Sequence, residues 1–410
     1  MIVQRDIYLQ QLIDGMDNKL IKIITGLRRS GKTFLLFELF VNYLTNNGID
    51  NDHIVKISFE DRRFKEFTDP DKLIAYIDSK IVDKKNYYII LDEVQALNDF
   101  VSVLNSLLYL NNVDIYITGS NSKFLSNDIA TEFRGRGDVI HVYPLSFAEY
   151  YSVVGGEKQL AWKNYYTFGG LPQLLTLKSE QKKISFLQSL QTSVYIKDLV
   201  ERNRIIATEE FSELLCVIAS SIGSSVNPTK LSNTIKSIKN INLSPKTIST
   251  YLEHICYAFL AERALRFDVK GKKYISTLSK YYFQDIGIRN SLLNFRQLEE
   301  THIMENIIYN ELKSRGFLVD VGIVEHREEN IRKQLEIDFV ANKGDLRYYI
   351  QSAYTIGNVD KKEQEIASFK RVRDSFKRII IVKDDIKPYY DENGYYIIGL
   401  FDFLLKKDLI

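Results

Sequence analysis

Apolar positions along this chain follow two rhythms, and the switches between them mark out its elements. Ile7, Leu9, Leu12 and Ile13 recur at helical spacing and predict a lead-in helix within residues 1–20. Ile21, Ile23 and Ile24 then form a short β-branched run, which predicts a strand. Residues 32–44 are apolar nearly all round, the pattern of a buried helix. Residues 53–59 alternate as a second strand. Tyr87, Tyr88, Ile89, Ile90 and Leu91 are continuously apolar, as expected of a parallel strand covered on both faces. Phe100, Val103, Leu104, Leu107 and Leu108 mark one face of a helix, and strands are predicted over 113–118 and 138–143. Strands alternating with helices predict an α/β fold with a parallel sheet.

Chemistry-bearing residues sit where this pattern changes. The first strand runs into Gly26-Leu27-Arg28-Arg29-Ser30-Gly31-Lys32-Thr33 and then a helix opening with Phe34, which is the G-x-x-x-x-G-K-[ST] phosphate loop in its required strand–loop–helix context. Its glycines let backbone N–H groups point at phosphate oxygens, and the following helix adds its N-terminal dipole. Lys32 would reach the β and γ phosphates of ATP, and Thr33 would offer a hydroxyl to Mg²⁺. The apolar run 87–91 ends in Asp92-Glu93, a Walker B pattern. Asp92 would support the metal through water, and Glu93 would orient the attacking water. Ser120 and Asn121, beyond the strand at 113–118, are candidates to sense the γ phosphate, against a plain turn. Arg136, just before the last strand, is the candidate finger for a neighbouring subunit's site, against a simple surface arginine.

Composition narrows the remaining possibilities. The 410 residues are 45% hydrophobic, with a net charge of +2, so binding to nucleic acid must rest on a local patch rather than a global field. Two cysteines, Cys216 and Cys256, in apolar helical contexts suggest neither a disulfide framework nor a zinc site. No apolar run approaches the ~18 residues of a membrane span and no signal-peptide pattern opens the chain, so a soluble, cytoplasmic protein is expected.

From Phe211 the pattern changes, and helical segments are joined by Asn227-Pro228-Thr229. Asn242-Leu243-Ser244-Pro245 sets Ser244 as N-cap and Pro245 at the first helical position. Ile248, Leu252, Ile255 and Phe259 form that helix's inner face, and two strands follow around Lys270-Gly271-Lys272-Lys273. Three helices and a hairpin read as a winged helix-turn-helix. Lys230, Lys236, Lys239 and Lys246 lie in a stretch without acids, and Lys270, Lys272 and Lys273 lie on the wing. Lys246, Thr247, Ser249 and Thr250 would face the major groove of double-stranded DNA, with the lysines on phosphates. The alternative is a packing module with solvated lysines.

Thr25–Thr33, Leu91-Asp92-Glu93, Thr118-Gly119-Ser120, Gly135-Arg136, Pro144-Leu145-Ser146-Phe147 and Phe168-Gly169-Gly170-Leu171-Pro172 together resemble the AAA+ branch of P-loop ATPases. More closely, the chain resembles predicted bacterial and archaeal AAA+ ATPases with a poorly characterised C-terminal region. The resemblance implies an ATPase core over residues 1–145, with a five-stranded parallel sheet, and a helical lid over 146–205. The winged helix would span 206–279, and 280–410 would be a restriction-endonuclease-like α/β domain. Active members of that fold bind Mg²⁺ through a helix Glu, a strand Asp and a second carboxylate, with a nearby Lys activating water. Those positions fall here on Glu305, Asp338, Gln351 and Ala353, so a degenerate nuclease site is expected. The resulting expectation is an ATPase, slow in isolation and able to oligomerise, whose nucleotide cycle gates DNA binding. The alternatives are a nucleotide switch for a protein partner in defence or toxin–antitoxin signalling, and a metal-dependent nuclease.

Overall fold

The computed structural model describes residues 2–119, 135–239, 241–328, 331–357 and 359–406. The chain divides into two compact units, Met1–Pro144 with Tyr257–Phe259, and Leu145–Cys256 with Leu260–Ile410.

The first unit is built on a five-stranded sheet of β1 (Ile21–Thr25), β2 (Ile54–Ser58), β3 (Tyr87–Asp92), β4 (Val113–Thr118) and β5 (Gly137–His141). Its order is β2-β3-β4-β1-β5 and every pairing is parallel. The three central strands are buried at every position, whereas β2 and β5 at the edges are only partly covered. That is why the run at 87–91 lacks alternation: both faces are packed. Ile23, Ile89, Leu91, Ile115 and Ile117 belong to one apolar layer, and Ile24, Tyr88, Ile90 and Tyr116 to the other. The helix after the phosphate loop starts at Lys32–Phe34, passes through a π-helical stretch at Leu35–Phe40 and continues as Val41–Asn46. One buried ion pair, Lys22 with Asp114, joins β1 to β4; burial lowers the Lys22 pKa.

The second unit opens with helices Phe147–Val154, Lys158–Phe168, Glu180–Leu190 and Lys197–Asn203, the stretch expected as a lid. Ser146 and Glu149 form a reciprocal capping box at its start, an arrangement worth about 1 kcal/mol. This stretch is tied to helix Ile286–Leu292. The Gly170 N–H donates to Asp285 Oδ2 (2.8 Å), and Asn290 Nδ2 donates to the carbonyls of Tyr166 and Thr167. Gly169, at φ +83°, sits so close that a Cβ would lie 2.4 Å from Asp285 Oδ1.

Helices Thr208–Ser220, Pro228–Lys239 and Pro245–Tyr257 follow. Ser244 caps the third as expected, its Oγ accepting from the Thr247 N–H (3.1 Å). Next comes the hairpin of β6 (Ala261–Asp268) and β7 (Lys273–Phe283). Val226, between the first two helices, bridges Ser279 on β7. The hairpin is not a free wing. It completes an eight-stranded sheet ordered β12-β13-β11-β10-β9-β8-β6-β7, with β8 (Leu318–Glu328), β9 (Ile331–Lys343), β10 (Leu346–Ala353), β11 (Lys377–Val382), β12 (Tyr389–Tyr390) and β13 (Tyr396–Gly399). β6 pairs with β8 over Arg266–Asp268. The boundary expected between Ser279 and Lys280 therefore falls inside β7, because one set of ladder hydrogen bonds runs through both regions. Helix Glu300–Ser314 carries Glu305, and β8, β9 and β10 follow as expected before helix Val359–Ile366 and β11. Among the described residues, no helix is long and apolar enough to cross a membrane.

Candidate functional site

The phosphate loop leaves β1 at its C-terminal end. Gly26 takes φ +135°, and a Cβ there would lie 2.2 Å from the Val142 carbonyl oxygen, so only glycine fits. Lys32 is buried and donates to the carbonyls of Gly26 (3.0 Å) and Leu27 (3.1 Å). Burial lowers its pKa to about 8, against the opposing pull of Glu93 and Asp92. A protein-borne cation so poorly solvated gains strongly from an anion beside it. Arg28 reaches Glu60 (3.2 Å) at the surface, Arg29 takes φ +67°, and Phe34 is partly exposed.

Asp92 is the hub. Thr33 Oγ1 donates to it (3.0 Å to Oδ1), joining the two motifs across the strand tips. Ser58, from the end of β2, donates to Oδ2 (3.1 Å), and Thr118, from the end of β4, donates to Oδ1 (2.6 Å). Thr118 Oγ1 also accepts the Glu93 N–H (2.9 Å). Glu93 takes φ +54°, turning out of the strand direction, and its carboxylate pairs with Gln95. Hydrogen bonds to a charged group are worth about 1.5–3 kcal/mol each, so these hydroxyls fix the carboxylate's orientation.

Arg5 was not expected here. It is buried, donates to the Ser30 carbonyl (3.0 Å) and the Tyr143 carbonyl (2.7 Å), and lies over the Tyr8 ring. It thus pins the phosphate loop to the chain leaving β5. Ser58, Thr118 and Gln95 also escaped the sequence reading. Ser58 and Thr118 each carried a weak signal there, as a hydroxyl at a strand tip. Ser120 and Asn121 lie outside the described residues. Arg136 is exposed beside the first residue of β5, whereas the loop sits at the C-terminal ends of the strands, so it does not join its own chain's site.

The expected nuclease positions do come together, but differently from the expectation. Glu305 Oε1 accepts from Lys280 Nζ (2.9 Å) and Tyr282 OH (2.7 Å). Lys280 also pairs with Glu336 (2.7 Å). Asp338 accepts the Ser352 N–H (2.8 Å), and the Gln351 side chain faces the Asp338 N–H (3.4 Å). Burial and the Glu305 charge push Asp338 well above the usual carboxylate range. Burial opposes the Lys280 charge, but Glu305, Asp338 and Glu336 outweigh it and raise its pKa. Ala353 is buried, as its side chain requires.

Of the expected DNA-contacting residues, Lys230, Lys246, Lys270, Lys272 and Lys273 are exposed. Lys270 Nζ reaches the Glu325 carbonyl (2.8 Å). The hydroxyls are turned inward on their own helix: Ser249 donates to the Pro245 carbonyl (3.0 Å), Thr250 to that of Lys246 (3.2 Å), and Thr247 pairs with Ser244.

A phosphate loop whose Thr is bonded to a Walker B Asp, at the C-terminal edge of a parallel sheet in this order, defines an AAA-type ATPase domain. An AAA domain family model matches residues 18–151, and a domain of unknown function, DUF8612, matches 159–299. The chain belongs to the same family as an uncharacterized protein of Haemophilus influenzae, with which it is 32% identical over 414 positions covering 99% of each. It is 29% identical to the uncharacterized protein MJ1544 of Methanocaldococcus jannaschii, over 90% of this chain and 81% of that one. Among solved structures, a Walker-type ATPase of Pyrococcus abyssi shares the fold. It has a TM-score of 0.50 and 14% identity, and the match covers 71% of this chain and 96% of that one.

Proposed function

We propose that this ATPase binds Mg·ATP at Gly26–Thr33, and that nucleotide occupancy gates contact with duplex DNA through the helices and hairpin of residues 206–283. The observation that carries the nucleotide reading is the Thr33–Asp92 hydrogen bond, which brings together the two side chains that would hold Mg²⁺. Both offer hard oxygen donors, the chemistry Mg²⁺ requires. Lys32 and the loop N–H groups would hold the phosphates. Glu93 would position the water, with Thr118 fixing its backbone.

The DNA reading is supported by the order helix, bridging residue, helix, helix, hairpin, and by exposed Lys230, Lys246, Lys272 and Lys273. With the Ser249 and Thr250 hydroxyls spent on helix carbonyls, contact would fall mainly on phosphates, giving modest sequence preference and steep salt dependence. The test is fluorescence anisotropy with duplex DNA over a salt series, with and without Mg·ATP. Affinity should fall steeply with salt, change with nucleotide, and drop roughly tenfold when Lys246 and Lys272 are both changed to Glu. No binding in any nucleotide state would remove the DNA reading and leave a protein partner as the target of the switch.

A further inference from the structure

The fold that residues 280–410 resemble would call for a divalent metal on Glu305, Asp338 and a third carboxylate. The residues here do not fit one. Among the described residues, no group of three or more His, Cys, Asp or Glu side chains is arranged to hold a metal. The position of the third carboxylate holds the neutral amide of Gln351, and a lysine ammonium stands among the acids.

We infer that Lys280 is a built-in cation in the place where this fold would hold a divalent metal. Its ammonium lies 2.9 Å from Glu305 and 2.7 Å from Glu336. Lys280 and Glu305 are both largely buried, and Glu336 meets the ammonium from the solvent side with a partly exposed side chain. Lys280 arrives on β7, although β6 and β8 lie between β7 and β9 in hydrogen-bond order. Tyr282, two residues on, donates to the same Glu305 oxygen and stacks on Tyr309 (4.3 Å between ring centroids), which fixes the strand against helix Glu300–Ser314. The cluster is also closed from the helical side. The backbone at Gly223 packs so tightly that a Cβ would lie 2.8 Å from Glu305 Oε2, and three residues later Val226 bridges Ser279, next to Lys280.

The acids therefore keep a charge balance that otherwise requires an ion. A single fixed positive charge satisfies Glu305 and Glu336 at once and makes the site independent of free metal. The arrangement explains how an acidic cluster persists here without the third ligand at Gln351. It also couples the helical region to the sheet, because the residue beside the cation is the one that Val226 bridges.

The test is Mn²⁺ binding, by electron paramagnetic resonance, to the full chain without nucleotide. An Asp92→Asn background silences the phosphate-loop position. With Lys280 present, no Mn²⁺ site should respond to Asp338→Asn. Adding Lys280→Met should create one Mn²⁺ site per chain, bound at least tenfold more tightly than any in the parent, and Asp338→Asn should abolish it. Thermal melting provides the second measurement. Lys280→Met should lower the transition and Mn²⁺ should raise it again, while the Lys280 protein should not respond. An Asp338-dependent Mn²⁺ site in the Lys280 protein would overturn the inference. So would a folded Lys280→Met chain that gains no site, or one that fails to fold with Mn²⁺ as without it.

Discussion

At the residue scale, the nucleotide site separates charge that binds from charge that acts. Lys32 is desolvated and held on the Gly26 and Leu27 carbonyls, so an arriving phosphate meets a cation with little water to shed. Lys32→Ala should weaken ATP binding by about 10- to 100-fold, the worth of one or two charge-assisted hydrogen bonds. Glu93 acts on Lys32 through its charge. Its N–H is fixed by Thr118 and its carboxylate by Gln95. Glu93→Gln should therefore keep ATP affinity within about threefold and slow turnover by about 10²-fold or more. Calorimetric titration and phosphate release measure the two effects separately, and substantial turnover in the Gln variant would end the role given to Glu93. Lys32, Asp92 and Glu93 were legible because each motif is contiguous. Arg5, Ser58 and Thr118 were not, since only the fold brings them to Ser30 and Asp92.

At the element scale, the turn Gly169-Gly170 and the start of helix Ile286–Leu292 are joined through one buried acid. Asp285 caps that helix, accepting the Ile288 N–H (3.0 Å), and holds Gly170 with its other oxygen. Burial raises its pKa to about 6, above the ordinary 3.8 of an aspartate, despite three backbone hydrogen bonds that favour the charged form. The folded protein thus holds this proton more tightly than the unfolded chain. The contribution is fully present below pH ~3.8 and is lost as pH rises through ~6. At 1.36 kcal/mol per pKa unit it amounts to at most about 3 kcal/mol. Asp285→Asn should flatten the urea midpoint between pH 4.5 and 7.5 relative to the parent; parallel curves would place the titration elsewhere. The Gly-Gly-Leu-Pro turn was visible in the sequence, but its anchor more than a hundred residues downstream was not. The hairpin gives the same lesson. Its strands were legible, but their pairing with β8 depends on residues that local periodicity cannot see.

At the scale of the whole molecule, Arg136 poses the question of assembly. It stands at the start of β5, and a strand of five residues is about 16 Å long, so its own phosphate loop is at the far end of the sheet. If it serves as a finger, it serves another copy. Lys32→Ala and Arg136→Ala chains should each be slow alone, and mixing them should restore a substantial fraction of turnover through the interfaces that carry both intact groups. A demonstrated mixed oligomer with no restored turnover would exclude the finger role.

By itself, the sequence determined the α/β class, the strands of the ATPase core, the phosphate loop and the Walker B acids. These are local properties, carried by periodicity and by motifs whose atoms are covalent neighbours. Through a resemblance to the restriction-endonuclease-like fold it also drew attention to Glu305 and Asp338. Only the tertiary structure decided that Thr118 and Ser58 orient Asp92, that β6 and β7 belong to the C-terminal sheet, and that Lys280 stands among the acids. Those outcomes rest on strand order and on burial, which turn residues distant along the chain into neighbours at hydrogen-bond distance. A buried charge must find its partner in space, and nothing in the local pattern around Lys280 says where that partner lies.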